Sequence, residues 1–64
     1  MKRLEDRIME IFEKTDRAIS PDTLGFVTRS NHHDVWEKLR QLEKRGLIVP
    51  VTERRIRFYK WARS

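Results

Sequence analysis

Apolar residues recur at helical spacing through most of the chain and then switch to runs near its end. Leu4, Ile8, Ile11 and Phe12 fall at i, i+4, i+7 and i+8, the stripe of an amphipathic helix, and predict a first helix over about residues 2–15. Glu10 before Lys14 and Glu13 before Arg17 add i, i+4 pairs in the favourable order. Ser20-Pro21-Asp22 marks a second start. The serine can cap, the proline suits the first helical position, and the acid favours the positive end of the helix dipole. A short helix is predicted over about 21–27, with Leu24 and Val27 facing the core at i, i+3 and Phe26 beside them. Gly25 costs about 1 kcal/mol there relative to alanine, which points to another backbone passing close by.

Thr28-Arg29-Ser30-Asn31 breaks that pattern, and Asn31 followed by Asp34 resembles a capping box with the shorter acid. Val35, Leu39 and Leu42 then fall at i, i+4 and i+7, predicting a third helix over about 31–45. Lys44 and Arg45 suit its negative end, and Gly46 is placed to stop it. Beyond the glycine the period changes. Leu47–Val51 and Ile56–Trp61 are rich in β-branched and aromatic residues, so they read as two antiparallel strands joined by the polar Thr52-Glu53-Arg54-Arg55. Pro50 belongs at an edge or a bulge, and the lack of Asn-Gly or Asp-Gly leaves the turn type open. The fold class expected is α+β and mostly helical: three helices, then a two-stranded β-hairpin over about 47–61, in a single domain spanning 1–64.

Composition narrows the chemistry. Sixty-four residues allow one core at most, and a domain of this size is only marginally stable alone. No cysteine is present, which excludes a disulfide, a zinc finger and thiol chemistry and fits a cytoplasmic location. The longest apolar run, Leu47–Val51, is too short for a bilayer, and the early acids of Met1–Asp6 argue against a signal peptide, so no membrane partner is expected. Charge is unevenly spread. Residues 1–27 hold five Lys/Arg against six Asp/Glu, a net −1, whereas residues 28–64 hold ten against four, a net +6. A polarised basic surface suits a polyanion, because each neutralised phosphate releases a counterion. Solubility is the plainer explanation of a few net charges, but it does not explain the asymmetry.

The order helix, helix, turn, helix, hairpin resembles the winged helix-turn-helix family. Val35-Trp36-Glu37-Lys38-Leu39-Arg40-Gln41-Leu42-Glu43-Lys44-Arg45-Gly46-Leu47-Ile48 is similar to a recognition helix running through its glycine stop into the wing, as in MarR-, PadR- and phage-repressor-type regulators. Ser20-Pro21-Asp22-Thr23-Leu24-Gly25 resembles the start of that family's second helix. The resemblance spans Leu4 to Trp61 and departs at Thr28-Arg29-Ser30, where no glycine marks the turn. It implies sequence-specific binding of double-stranded DNA by a small transcriptional regulator, with the recognition helix in the major groove and the wing on phosphates or the minor groove.

With Val35, Leu39 and Leu42 in the core, the opposite face of the third helix carries Ser30, His33, Glu37, Arg40, Gln41 and Lys44. Arginine and glutamine suit bidentate contacts to guanine and adenine, and a glutamate can accept from cytosine. Arg29, Ser30 and Asn31 at the helix entrance are placed for phosphates. Asp34 and Glu37 oppose a phosphate backbone, and Asp34 has a purely helical role available with Lys38 at i, i+4. Arg54, Arg55 and Arg57 make the hairpin the stronger basic feature, although a charged tip also keeps an edge hairpin from aggregating.

His32 and His33 point about 100° apart on a helix and do not chelate together. Without a third ligand, a nucleophile–base pair or a glycine-rich phosphate loop, no metal site, cofactor or enzyme activity is expected. Phe12, Phe26 and Phe58 fit a compact core, while Met9, Trp36 and Trp61 lie at its rim and are candidates for a homodimer contact. The competing function is a winged helix used for protein–protein interaction or assembly without DNA binding, which Asp34, Glu37, Trp36 and Trp61 would suit.

Overall fold

The computed structural model describes residues 2–62. Three helices, α1 (Leu4–Lys14), α2 (Pro21–Thr28) and α3 (His32–Lys44), precede two strands, β1 (Ile48–Glu53) and β2 (Ile56–Trp61). The strands pair antiparallel, from Ile48 opposite Trp61 to Glu53 opposite Ile56. This α+β, mostly helical order is consistent with a winged-helix layout. No described helix is long and apolar enough to cross a membrane.

Each helix end has a local cause. Ser20 caps α2, its hydroxyl oxygen accepting from the Thr23 N–H at 3.2 Å, with Pro21 opening the helix. Asn31 caps α3 in the same way, accepting from the Asp34 N–H at 2.9 Å, while its amide donates to the Asp34 carboxylate at 3.0 Å. Asn31→Ala should therefore lower stability by about 1 kcal/mol, a downward shift of the urea midpoint with an unchanged slope. α3 stops as the sequence indicates. Gly46, at φ 76°, donates to the Glu43 carbonyl at 2.9 Å, and Leu47 reaches back to the Leu42 carbonyl at 3.1 Å, closing a Schellman motif.

The core joins all five elements. Ile8 and Phe12 of α1, Leu24 of α2, Val35, Leu39 and Leu42 of α3, Ile48 of β1 and Tyr59 of β2 are almost fully buried. Ile19, just before α2, adds a one-residue third strand. Its N–H donates to the Tyr59 carbonyl at 2.7 Å, and the Tyr59 N–H donates back at 2.8 Å. That exchange uses the outer edge of β2. Pro50, opposite Tyr59, occupies the matching position on β1, where its missing N–H faces away from the sheet.

Several expected contacts fall elsewhere. Phe26 is 85% exposed and Val27 52% exposed. The buried stripe runs through Pro21, Leu24, Gly25 and Thr28, on the Gly25 side of Leu24 rather than the Val27 side, which turns residues 22, 23, 26 and 27 outward. Phe58 is half-buried on the face of the hairpin away from the core, and Tyr59 takes the core position instead. Close backbone does pass Gly25, with the Ser30 carbonyl oxygen 3.4 Å from where a Cβ would stand, an ordinary contact that alanine could make. On α1, Glu10 pairs with Lys2 rather than Lys14, and the hydrogen bond from Lys2 holds its carboxyl below the usual carboxylate range. Arg17 lies past the end of α1 and does not pair with Glu13, and Asp34 bonds Asn31 rather than Lys38.

Candidate nucleic-acid interface

The outer face of α3 emerges from the burial of Val35, Leu39 and Leu42 on its inner side. His33, Glu37, Arg40, Gln41 and Lys44 are all exposed along that outer face. His33 lies against Glu37, its Nε2 3.7 Å from the carboxylate. Together with Trp36 and Arg40 they rim an open depression of about 310 Å³. Trp36 itself is half-buried, meeting Tyr59 edge-on with ring centroids 6.1 Å apart.

At the entrance to α3 the expected residues have different fates. Arg29 is exposed and adopts the left-handed backbone, φ 55°, that turns α2 into the next segment. It does so without a glycine. Ser30 is half-buried, its hydroxyl donating to the Thr28 carbonyl at 3.3 Å, and Asn31 is committed to its cap. Both therefore hold the turn, leaving Arg29 as the free side chain of the three. Arg7 of α1 also reaches this turn, donating to the Thr28 carbonyl at 3.1 Å. His32 is taken up by Asp22, with Nε2 and the carboxylate 2.8 Å apart, so it ties the first turn of α2 to the first turn of α3.

The hairpin turn is tighter than the sequence suggests. Thr52 and Glu53 remain in β1, and only Arg54 and Arg55 form the loop, at φ 51° and 67°. Two central residues with positive φ define a type I′ turn, whose sense matches the twist of the strands but whose usual residues are Asn-Gly. Two arginines hold it here, and their side chains project from the tip, both exposed. Arg57 follows on β2, exposed and facing Thr52 across the ladder. Among the described residues, Arg29, Arg40, Lys44, Arg54, Arg55 and Arg57 form no ion pair. Arg45, by contrast, is tied to Glu5 of α1 at 2.6 Å.

Comparison of the chain with protein-family models, curated proteins and solved structures finds no match. Met9, Trp36 and Trp61, the candidate dimer residues, all pack on the core, Trp61 stacking on Phe12 at 6.4 Å with an interplanar angle of 19°. Among the described residues no group of three His, Asp or Glu side chains is arranged to hold a metal ion.

Proposed function

We propose that this chain is a double-stranded DNA-binding module of the winged helix-turn-helix kind, acting as a small transcriptional regulator. In this reading the outer face of α3 enters the major groove, Arg40 and Gln41 meet base edges, and Arg29 and Lys44 meet phosphates. Arg54, Arg55 and Arg57 extend the contact to flanking phosphates or the minor groove. The observation that carries the proposal is the tip of the hairpin. Two consecutive arginines hold left-handed backbone there, at φ 51° and 67°, where a relaxed turn would take Asn-Gly. Backbone held in a sparsely populated conformation concentrates at functional positions, and cations without internal partners are what a phosphate backbone recruits.

The test is fluorescence anisotropy of a labelled random-sequence duplex, titrated with the protein at low and at moderate salt. Binding in the micromolar range that weakens steeply with salt is the expected result. Arg40→Ala and Gln41→Ala should alter sequence preference once a specific site is selected, with little change in binding to random duplex. No binding at low salt would overturn the proposal. It would favour the second reading, a protein-interaction module, for which the 85% exposed Phe26 beside Val27 on α2 is the specific support.

A further inference from the structure

The hairpin has two faces. One carries Ile48, Tyr59 and Trp61 into the core. The other presents three cross-strand pairs, Val49 with Lys60, Val51 with Phe58 and Glu53 with Ile56. None of these six residues belongs to the core or to the apolar residues packed against it. Val49 is 44% and Ile56 55% exposed. Four apolar side chains thus form a continuous outward patch on a domain whose size already limits how much apolar surface it can bury. Lys60 and Glu53 stand at opposite corners of it, and among the described residues neither forms an ion pair.

We infer that this outer face of the hairpin is the interface of a homodimer, in which a second copy of the chain stacks its own hairpin face on this one. The charge pattern selects the occupant and restricts its orientation. A two-fold axis through the centre of the patch, with the strands of the two copies crossing near a right angle, brings Lys60 of each copy within reach of Glu53 of the other. It leaves Val49, Val51, Ile56 and Phe58 to fill the space between. Orthogonal crossing is one of the two ways sheets pack face to face. The aligned arrangement that sets Lys60 over Ile56 also brings it beside Glu53, whereas the aligned one that sets Lys60 over Val49 and the orthogonal crossing of opposite sense, which sets Lys60 over Lys60, keep the two charges apart. The two corners therefore admit the crossed and the antiparallel arrangement and disfavour the other two. Edge-to-edge pairing is blocked separately, because Pro50 lies in the middle of β1 with no N–H to give a neighbouring strand. The interface leaves the face bearing Arg57 uncovered, and it does not depend on what that face binds.

Sedimentation equilibrium over a wide concentration range tests this. The expected mass moves from 7.9 kDa toward twice that value as concentration rises. Lys60→Glu and Glu53→Lys should each weaken association about tenfold, and the two changes together should restore it, since the pair is only reversed. Both positions are exposed, and circular dichroism should show unchanged secondary structure in each variant. A monomer at every concentration overturns the inference. So does a dimer indifferent to both single substitutions, or a doubly substituted chain that stays dissociated.

Discussion

Replacing Arg54-Arg55 by Asn-Gly is expected to make the domain more stable and a poorer ligand for DNA. A left-handed backbone costs an ordinary residue roughly 1–2 kcal/mol because Cβ crowds the following carbonyl, and the tip carries two such residues in succession, at φ 51° and 67°. Asparagine tolerates this conformation and glycine has no Cβ to crowd, although glycine gives back part of the gain through its larger unfolded-state freedom. The net gain should be about 1–2 kcal/mol, and a domain this small should melt about 4–8 °C higher for each kcal/mol. Under the proposed function the same change removes two phosphate-seeking cations. Affinity for random duplex should fall about tenfold at low salt, and the slope of log affinity against log salt should shrink by about 2. Arg54→Gln with Arg55→Gln separates charge from conformation, since it removes both cations but keeps two non-glycine side chains on the left-handed backbone. It should lose affinity and salt slope as the Asn-Gly variant does, without the gain in melting temperature. A stabilised variant that binds DNA as before would place the contact elsewhere. One that melts lower would contradict the backbone account of the tip.

The second large effect is at Tyr59. Its side chain is 2% exposed and is among the largest fully buried ones in the domain. It meets Trp36 edge-on, while its backbone exchanges both hydrogen bonds with Ile19. Tyr59→Ala removes an aromatic from the junction of α3, the hairpin and the Ile19 bridge, a change that typically costs 3–5 kcal/mol. At roughly 0.05–0.15 kcal/mol per residue, a chain of this length has about 3–10 kcal/mol in reserve, so at mid-range the loss removes half of it or more. The variant should lose its cooperative urea transition and most of its helical circular dichroism at room temperature. Tyr59→Phe should behave differently. The hydroxyl lies 3.5 Å from the Glu43 carboxylate, at the limit of a hydrogen bond, so its removal should change stability by less than about 1 kcal/mol. A severe loss in the phenylalanine variant would show that the polar contact, and not the ring, holds the junction.

The helices were legible where two independent local signals coincided. α3 combines a spaced apolar stripe with an asparagine cap and a glycine stop, and the structure follows all three. α2 offered a clear start but only a few residues of stripe. Counting the core face from Leu24 to Val27 missed that Pro21 and Thr28 close the same stripe, which turns Phe26 and Val27 outward. In the hairpin, strand identity was visible in composition, but alternation alone does not say which face meets the core. Phe58 and Tyr59 are neighbours of similar size, and the choice between them is made by the Ile19 bridge and by Trp36, contacts distant in sequence. The tip was visible as a charged connection. Its two-residue length was hidden because the usual Asn-Gly signal is absent. Of the residues at the α3 entrance, Ser30 and Asn31 were legible as polar but not as already bonded, since backbone partners such as the Thr28 carbonyl leave no mark in a residue pattern.

Leu47 has a mechanical consequence. Its N–H bonds the carbonyl of Leu42 in the last turn of α3, and its own carbonyl accepts from Ala62 just beyond β2. A single residue thus fastens the end of the helix to the return of the hairpin, while Arg45 pins that same helix end to α1 through Glu5. Helix and hairpin cannot swing independently without breaking these bonds, so they form one stiff caliper whose jaws are set at folding. Any object gripped by both must match that opening or deform to it.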